Sequence, residues 1–360
     1  MSYERDNIRR MQGYAWGEQP DDGDTIKLNT NENPYPPSPR VRAALAAFDT
    51  DLLRRYPQPT ADPLRDRLAD LHELERAHVV VTHGGDEALR LAMTTFVDPG
   101  ATFTMAEPSY SLYPVLAQVQ DARTFTLPLD ARWRLPGEAA SRLNEAGARL
   151  TCLVNPHAPS GTLSSAADIA ALARALDGVL LVDEAYVDFV DPELGHDLTP
   201  LVRRLPNLLL LRTFSKGYGL AGLRLGYLLG APSLIAPIIT KTRDSYNVDA
   251  ISQALGEAAL EDRAHAEETW RSVRASRAVL AQRLARLGLE VTPSQANFLL
   301  ARVPDSTRAT AAGLYRHLKA RGVLVRYFDV PGLDDRLRIS VGSESENRRL
   351  IDVLAEALKA

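Results

Sequence analysis

Seven short apolar runs, spaced through the middle of the chain and separated by stretches of helical period, restrict the fold more than any other feature. The runs cover residues 79–82, 101–105, 123–127, 150–154, 179–183, 208–213 and 224–229. Between several of them the apolar residues recur at helical spacing, as in Asp168-Ile-Ala-Ala-Leu-Ala-Arg-Ala-Leu176. Continuous Val/Leu runs alternating with helices predict a largely parallel sheet covered on both faces. In such sheets ligands gather beyond the carboxyl ends of the strands. Residues with chemical capacity are therefore sought at those ends.

A chain of 360 residues has room for a second domain. After about Tyr246 the pattern changes to a long amphipathic stretch at 270–287, then strand-like runs at 297–303, 323–327 and 337–341 between helical segments. The expected organisation is an arm over 1–40, a large domain over 41–248 and a smaller α+β domain over 249–360. The first segment is rich in Pro, Asn and Asp, and must lie on another surface, its own or a partner's. A net charge of −4 gives no basic footprint for nucleic acid or anionic membrane. Cys152 is the single cysteine, so no internal disulfide is possible, and its apolar surroundings predict a buried thiol. The first ten residues hold no apolar signal core, and no run approaches membrane-spanning length. Cytoplasmic residence is the default expectation.

The residues at the strand ends form a chemical set. Ser215-Lys216 follows the run Leu208-Leu-Leu-Leu211, and Arg224 returns eight residues after the lysine, across a Gly-rich turn. A lysine near low-dielectric walls loses hydration, which lowers its pKa and prepares it to attack a carbonyl. An arginine returning to the same place can grip a phosphate with its planar fork. Schiff-base lysine and phosphate clamp together are what pyridoxal 5′-phosphate requires. His83-Gly84-Gly85-Asp86 opens a helix, where close backbone approach and free N–H groups suit an anion. Asp183 ends an apolar strand, where an acid can pair with a pyridinium nitrogen, and Tyr186 stands three residues on. Tyr110 offers a stacking ring, and the loop Val154-Asn-Pro-His-Ala-Pro-Ser-Gly161 offers Asn155 and His157. Each residue alone has a plainer reading: a surface lysine, an N-cap aspartate, a packed tyrosine, a solvated histidine. Their joint placement at the ends of one sheet is not explained that way.

The sequence resembles the fold-type I, pyridoxal-phosphate-dependent aminotransferases, and within them the histidinol-phosphate aminotransferases, over essentially its whole length. The marks are Leu28-Asn-Thr-Asn-Glu-Asn-Pro-Tyr35, Arg55-Tyr-Pro57, His83-Gly-Gly-Asp-Glu87, Val182-Asp-Glu-Ala-Tyr186, Ser215-Lys216 to Arg224, Ala296-Asn-Phe298 and Leu337-Arg-Ile339. The resemblance implies a seven-stranded, mostly parallel large domain, a smaller C-terminal domain and an extended N-terminal arm. It implies that Lys216 bonds the cofactor covalently and later shuttles a proton. Asp183 would pair with the ring nitrogen, kept charged and low in pKa by that cation. Tyr186 would bond the phenolate oxygen, and Tyr110 would stack on the ring. Residues Gly84, Gly85 and Asp86, with Ser215 and Arg224, would hold the phosphate. Tyr56 would reach the neighbouring subunit's phosphate, making a homodimer with shared sites. Arg338 would bind the anionic group of the substrate, with Arg326 and Tyr14 nearby, Tyr14 from the partner. No metal is implied.

The chain departs from the family in its loop, usually Asn-Pro-Thr-Gly, which here reads Ala158-Pro-Ser-Gly161. Asn155, which ends the strand, is preferred over His157 as the substitute donor to the phenolate oxygen. Gly85, where serine is common, removes a hydroxyl from the phosphate cradle. The leading activity is transfer of an amino group from L-histidinol phosphate to 2-oxoglutarate. Rivals within the fold are an aromatic or other amino-acid aminotransferase and a decarboxylase of a phosphorylated amino acid. A non-catalytic ligand sensor would need a DNA-binding segment that residues 1–60 do not show. A nicotinamide-dependent dehydrogenase would need a Gly-x-Gly-x-x-Gly turn after the first strand, which is missing.

Overall fold

All seven apolar runs form strands of one sheet: β1 (Val79–Thr82), β2 (Thr102–Glu107), β3 (Arg123–Pro128), β4 (Ala148–Val154), β5 (Val179–Asp183), β6 (Leu208–Thr213) and β7 (Gly226–Gly230). The structure, a computed structural model, describes residues 2–20 and 23–359. The strand order is β1-β7-β6-β5-β4-β2-β3. Neighbours from β6 to β3 pair in parallel, whereas β7 runs antiparallel to both β6 and β1. Because β7 is reversed, it starts beside the carboxyl end of β6, and the turn between them carries Ser215, Lys216 and Arg224.

Side chains alternate between two cores, as the two-residue period of a strand requires. Leu180, Val182, Leu208 and Leu210 face one core. Leu181, Leu209 and Leu211 face the other, together with Cys152 and Val154. Burial pushes the Cys152 thiol well above its usual pKa. This alternation puts Asp183 on the Leu181 face and Glu184 on the opposite one.

Arg224 departs from its expected place as the first residue of the last strand. The strand begins at Gly226, and Arg224 adopts a left-handed conformation with φ 56°. That bend lays its guanidinium over Gly84, where an added Cβ would stand 2.7 Å from Arg224 Nη2.

A third core lies around an antiparallel sheet ordered Arg326–Tyr327, Arg336–Ser340, Phe298–Arg302 and Glu290–Val291. It is closed by the helices Arg263–Arg286 and Glu344–Lys359 through Trp270, Leu280 and Leu350. The helix Ala250–Glu261 packs elsewhere. Its Leu255, Ala258 and Ala259 share the large sheet's core with Val41 and Leu64, so packing differs from the chain order that begins the small domain at 249. The arm lies on its own chain where it makes contact. Ile26–Lys27 pairs in parallel with Val323–Leu324, and Leu28 enters the third core. Arg5 Nη2 and Asn7 Nδ2 donate to the carbonyls of Val119 and Gln118, at 2.9 and 2.8 Å. No helix among the described residues is long and apolar enough to cross a membrane.

Candidate active site

Lys216 sits one turn beyond β6, with its Nζ donating to the Thr30 carbonyl at 2.8 Å. Burial pulls its amine down to about 8; Glu32 opposes the shift, and Arg338, Lys27 and Arg224 add to it. The Thr30–Glu32 stretch thus reaches the lysine from the arm. Glu32 itself is bonded by Lys27 and by Thr30 Oγ1. Burial pushes its carboxyl up, but the donors and the two lysines outweigh that and leave it below its usual range.

Asp183 ends β5 on the same face, 5% exposed. Its Oδ2 accepts a 2.9 Å bond from Tyr113 Oη, and its Oδ1 accepts from the Ala185 amide at 3.1 Å. Burial pushes the carboxyl up to about 6, with the two donors pulling the other way. Among the described residues no cationic side chain forms an ion pair with it. The low pKa expected at sequence level belongs to this carboxylate with a cation beside it, and protein alone does not supply one. A buried acid of this kind fits a protonated ring nitrogen.

The anion cradle is assembled at the start of the helix Gly84–Phe96, whose first amides have no partner within the helix. Arg224 Nη2 lies 3.3 Å from Asp86 Oδ2, and Arg224 Nη1 reaches Ser215 Oγ at 3.5 Å and the Ala221 carbonyl at 3.1 Å. A side chain on Gly84 would fill the space under the guanidinium. On Gly85, a Cβ would stand 3.3 Å from Leu211 Cδ2, so a serine there would need Leu211 to give way. Amides, a hydroxyl and a guanidinium converge, and that set fits a phosphate. The aromatic wall is Tyr110, edge-on to Tyr113 at 5.5 Å and to Tyr14 at 5.9 Å, with its hydroxyl 3.4 Å from Asp86 Oδ1. Tyr14 belongs to the same chain as Tyr110, which differs from the expectation that a partner supplies it; the bonds of Arg5 and Asn7 hold this part of the arm down. Tyr56 is not brought into the site. It is 80% exposed and stacks on Tyr246 at 4.4 Å.

Asn155 also stays out. It follows Val154 and projects to the face opposite Asp183. There its Oδ1 accepts from the Ser164 amide at 2.7 Å, and its Nδ2 donates to the Ser164 carbonyl at 3.2 Å and meets His196 Nε2 at 3.4 Å. His157 is equally occupied, with Nδ1 2.7 Å from Ser160 Oγ and Nε2 2.9 Å from the Pro108 carbonyl. Neither is placed as the substitute donor.

Arg326 and Arg338 are register partners on adjacent antiparallel strands. Phe328 stands against both, with ring centroids 5.4 Å from Arg326 Cζ and 5.6 Å from Arg338 Cζ. Arg338 Nη2 donates to the Asn29 carbonyl at 2.9 Å, while its buried Nε has no protein partner. Burial lowers the Arg338 pKa, and Arg326 adds to that. Like charges facing each other across a strand pair repel, so the pair suits an anionic group. Sequence reasoning missed Tyr113, Thr30, Asn31 and Phe328. Tyr113 left a local signal, three residues after Tyr110 and so on the same side of a helical turn, and Thr30 and Asn31 lie within the 28–35 motif, which named no task for either.

Residues 23–354 match the family described as aminotransferase class I and II. The chain is 43% identical over 357 residues to a histidinol-phosphate aminotransferase of Chromohalobacter salexigens, covering 98% of this chain and 97% of that one. It is 39% identical over 359 residues to histidinol-phosphate aminotransferase 1 of Trichormus variabilis, covering 99% of each. Among solved structures, histidinol-phosphate aminotransferase from Sinorhizobium meliloti, in complex with pyridoxal-5′-phosphate, superposes with a TM-score of 0.89 at 25% identity, over 100% of this chain and 98% of that one.

Proposed function

The chain belongs to the class I and II aminotransferases, and on that premise we propose that it transfers the amino group of L-histidinol phosphate to 2-oxoglutarate, using pyridoxal 5′-phosphate held at Lys216. The observation that carries this reading is the convergence of a half-buried lysine of lowered pKa, a buried acid without a cation, and a guanidinium over a helix start. The relatives named above support the choice of substrate, and so does the Arg326–Arg338 pair.

When bound, the cofactor supplies an electron sink that stabilises negative charge at the substrate carbon. The chain's residues do the rest. The amides of Gly84, Gly85 and Asp86, with Ser215 and Arg224, hold the phosphate. Asp183, steadied by Tyr113 and the Ala185 amide, keeps the ring nitrogen protonated. Tyr110 would cover the ring, and Tyr186 would donate to the phenolate oxygen. Lys216 would hold the cofactor through Nζ, and as an amine of lowered pKa it would be suited to take up and give back the proton of the substrate's amine-bearing carbon. Arg326 and Arg338 orient the substrate by its phosphate, and the same two groups receive a dicarboxylic 2-oxo acid in the second half. In this reading two chains pair in the cytoplasm, and each lends its exposed Tyr56 to the other's phosphate.

The test is a pair of half-reactions. Histidinol phosphate should discharge the absorbance of the bound cofactor, and 2-oxoglutarate should restore it with formation of glutamate. Release of carbon dioxide from threonine phosphate, with no such cycle, would point to a decarboxylase.

A further inference from the structure

The phenolate side of the site holds one donor fewer than the family pattern. Ala158 has no polar group, and Asn155 and His157 spend theirs on Ser164, Ser160 and Pro108. Tyr186 is left to serve that oxygen, and what surrounds its hydroxyl decides where its proton points. Tyr186 Oη accepts a 3.1 Å bond from Asn31 Nδ2. An amide NH₂ cannot accept in return, so the tyrosine's proton is not directed back along this bond.

Asn31 is itself tightly placed. It is 1% exposed and left-handed, with φ 59°. Its amide donates to Ser340 Oγ at 2.9 Å, and its carbonyl accepts from Asn297 Nδ2 at 2.9 Å. Ser340 Oγ, which accepts from the Asn31 amide, donates its own proton to Asn31 Oδ1 at 3.0 Å. The oxygen end of the side chain is thereby fixed toward Ser340, and the NH₂ end toward Tyr186.

We infer that Asn31 is a positioning residue that aims the Tyr186 hydroxyl proton into the site, standing in for the donor that Ala158 lacks. The inference rests on the proposed role of Tyr186 at the phenolate oxygen. It also ties that hydroxyl to the small domain, because Ser340 and Asn297 both belong there.

The test is a double-mutant cycle on the holoprotein, read as the pH midpoint of the bound cofactor's absorbance change rather than as turnover. Asn31→Gly suits the left-handed backbone and removes the amide. Tyr186→Phe should raise the midpoint, because an oxygen deprived of its donor holds the neighbouring shared proton more tightly. Asn31→Gly should raise it by about half to one pH unit, the scale of one neutral hydrogen bond. In the Tyr186→Phe background it should add nothing. If Asn31→Gly folds poorly, Asn31→Asp keeps the backbone conformation and offers Tyr186 an acceptor; its shift must likewise shrink without the hydroxyl. Equal shifts in both backgrounds, or no shift from Asn31→Gly where Tyr186→Phe moves the midpoint, overturn the inference. No shift from Tyr186→Phe removes the assignment of Tyr186 and the inference with it.

Discussion

Arg338 faces Arg326 across two antiparallel strands, and the ring of Phe328 lies against both guanidinium groups. Two cations held side by side, one of them with a buried N–H lacking any protein partner, make a place whose electrostatic balance needs an anion. A doubly charged phosphate meets that need better than one carboxylate, because each arginine can bond it with charge assistance.

Arg326→Ala is accordingly expected to lower kcat/KM for histidinol phosphate roughly ten- to hundredfold, the effect of losing about 1.5–3 kcal/mol of charged hydrogen bonding. Unphosphorylated histidinol should be affected far less. Steady-state kinetics on the two amines checks this, and equal losses on both would remove the phosphate from the role.

Lys216 should attack the free cofactor only as the neutral amine. With its pKa drawn down to about 8 by burial, the rate at which apoprotein captures pyridoxal phosphate should rise with pH and level off above about 8. Borohydride reduction followed by peptide mapping should place the label on Lys216, and Lys216→Ala should take none. A rate profile centred near 10, the ordinary value for a lysine, would contradict the burial argument.

Asp183 is shifted the other way, up rather than down, yet its function is likewise gained as pH rises. Its carboxyl, raised to about 6 without a cation beside it, is charged above that pH and can hold the ring nitrogen, and it is neutral below it. Cofactor affinity should therefore fall as pH drops through about 6. Tyr113→Phe removes a donor to the charged form and should move that fall to higher pH. Asp183→Asn should depress proton abstraction far more than it lowers Tm. Near-normal turnover in that variant would sink the role.

Much of this was legible in the sequence for physical reasons. Apolar runs such as Leu208–Leu211 are buried on both faces of a parallel sheet, so they stand out without any knowledge of their neighbours. Lys216 and Asp183 follow from being polar at the ends of such runs. The failures arose where a side chain has two surfaces to choose from. Asp183 is the last residue of its strand, whereas Asn155 comes one residue after its own, and that extra step of alternation sends it to the far face, where Ser164 binds it. Which face each strand end presents depends on register across the sheet, and that is not a local property. Asn31 and Thr30 were visible as part of an unusual motif, but their task depends on Ser340 and Lys216, far along the chain. The helix Ala250–Glu261 misled in the same way, because its position in the chain says nothing of which core takes its apolar face.

If two chains share their sites, hybrids should recover activity. Mixing Tyr56→Ala with Lys216→Ala chains should yield dimers in which one site has both residues intact. The exposed stack of Tyr56 on Tyr246 is where that contact would form. Sedimentation of a fully active monomer would refute the arrangement.

The most direct measurement of the central claim is a comparison of kcat/KM for histidinol phosphate, histidinol and phenylalanine, each with 2-oxoglutarate as acceptor and the same wild-type holoprotein. Histidinol phosphate should lead histidinol by roughly tenfold or more, the margin expected from one charged contact to its phosphate, and phenylalanine should trail it. Faster turnover of phenylalanine or another plain amino acid than of histidinol phosphate would contradict the assignment.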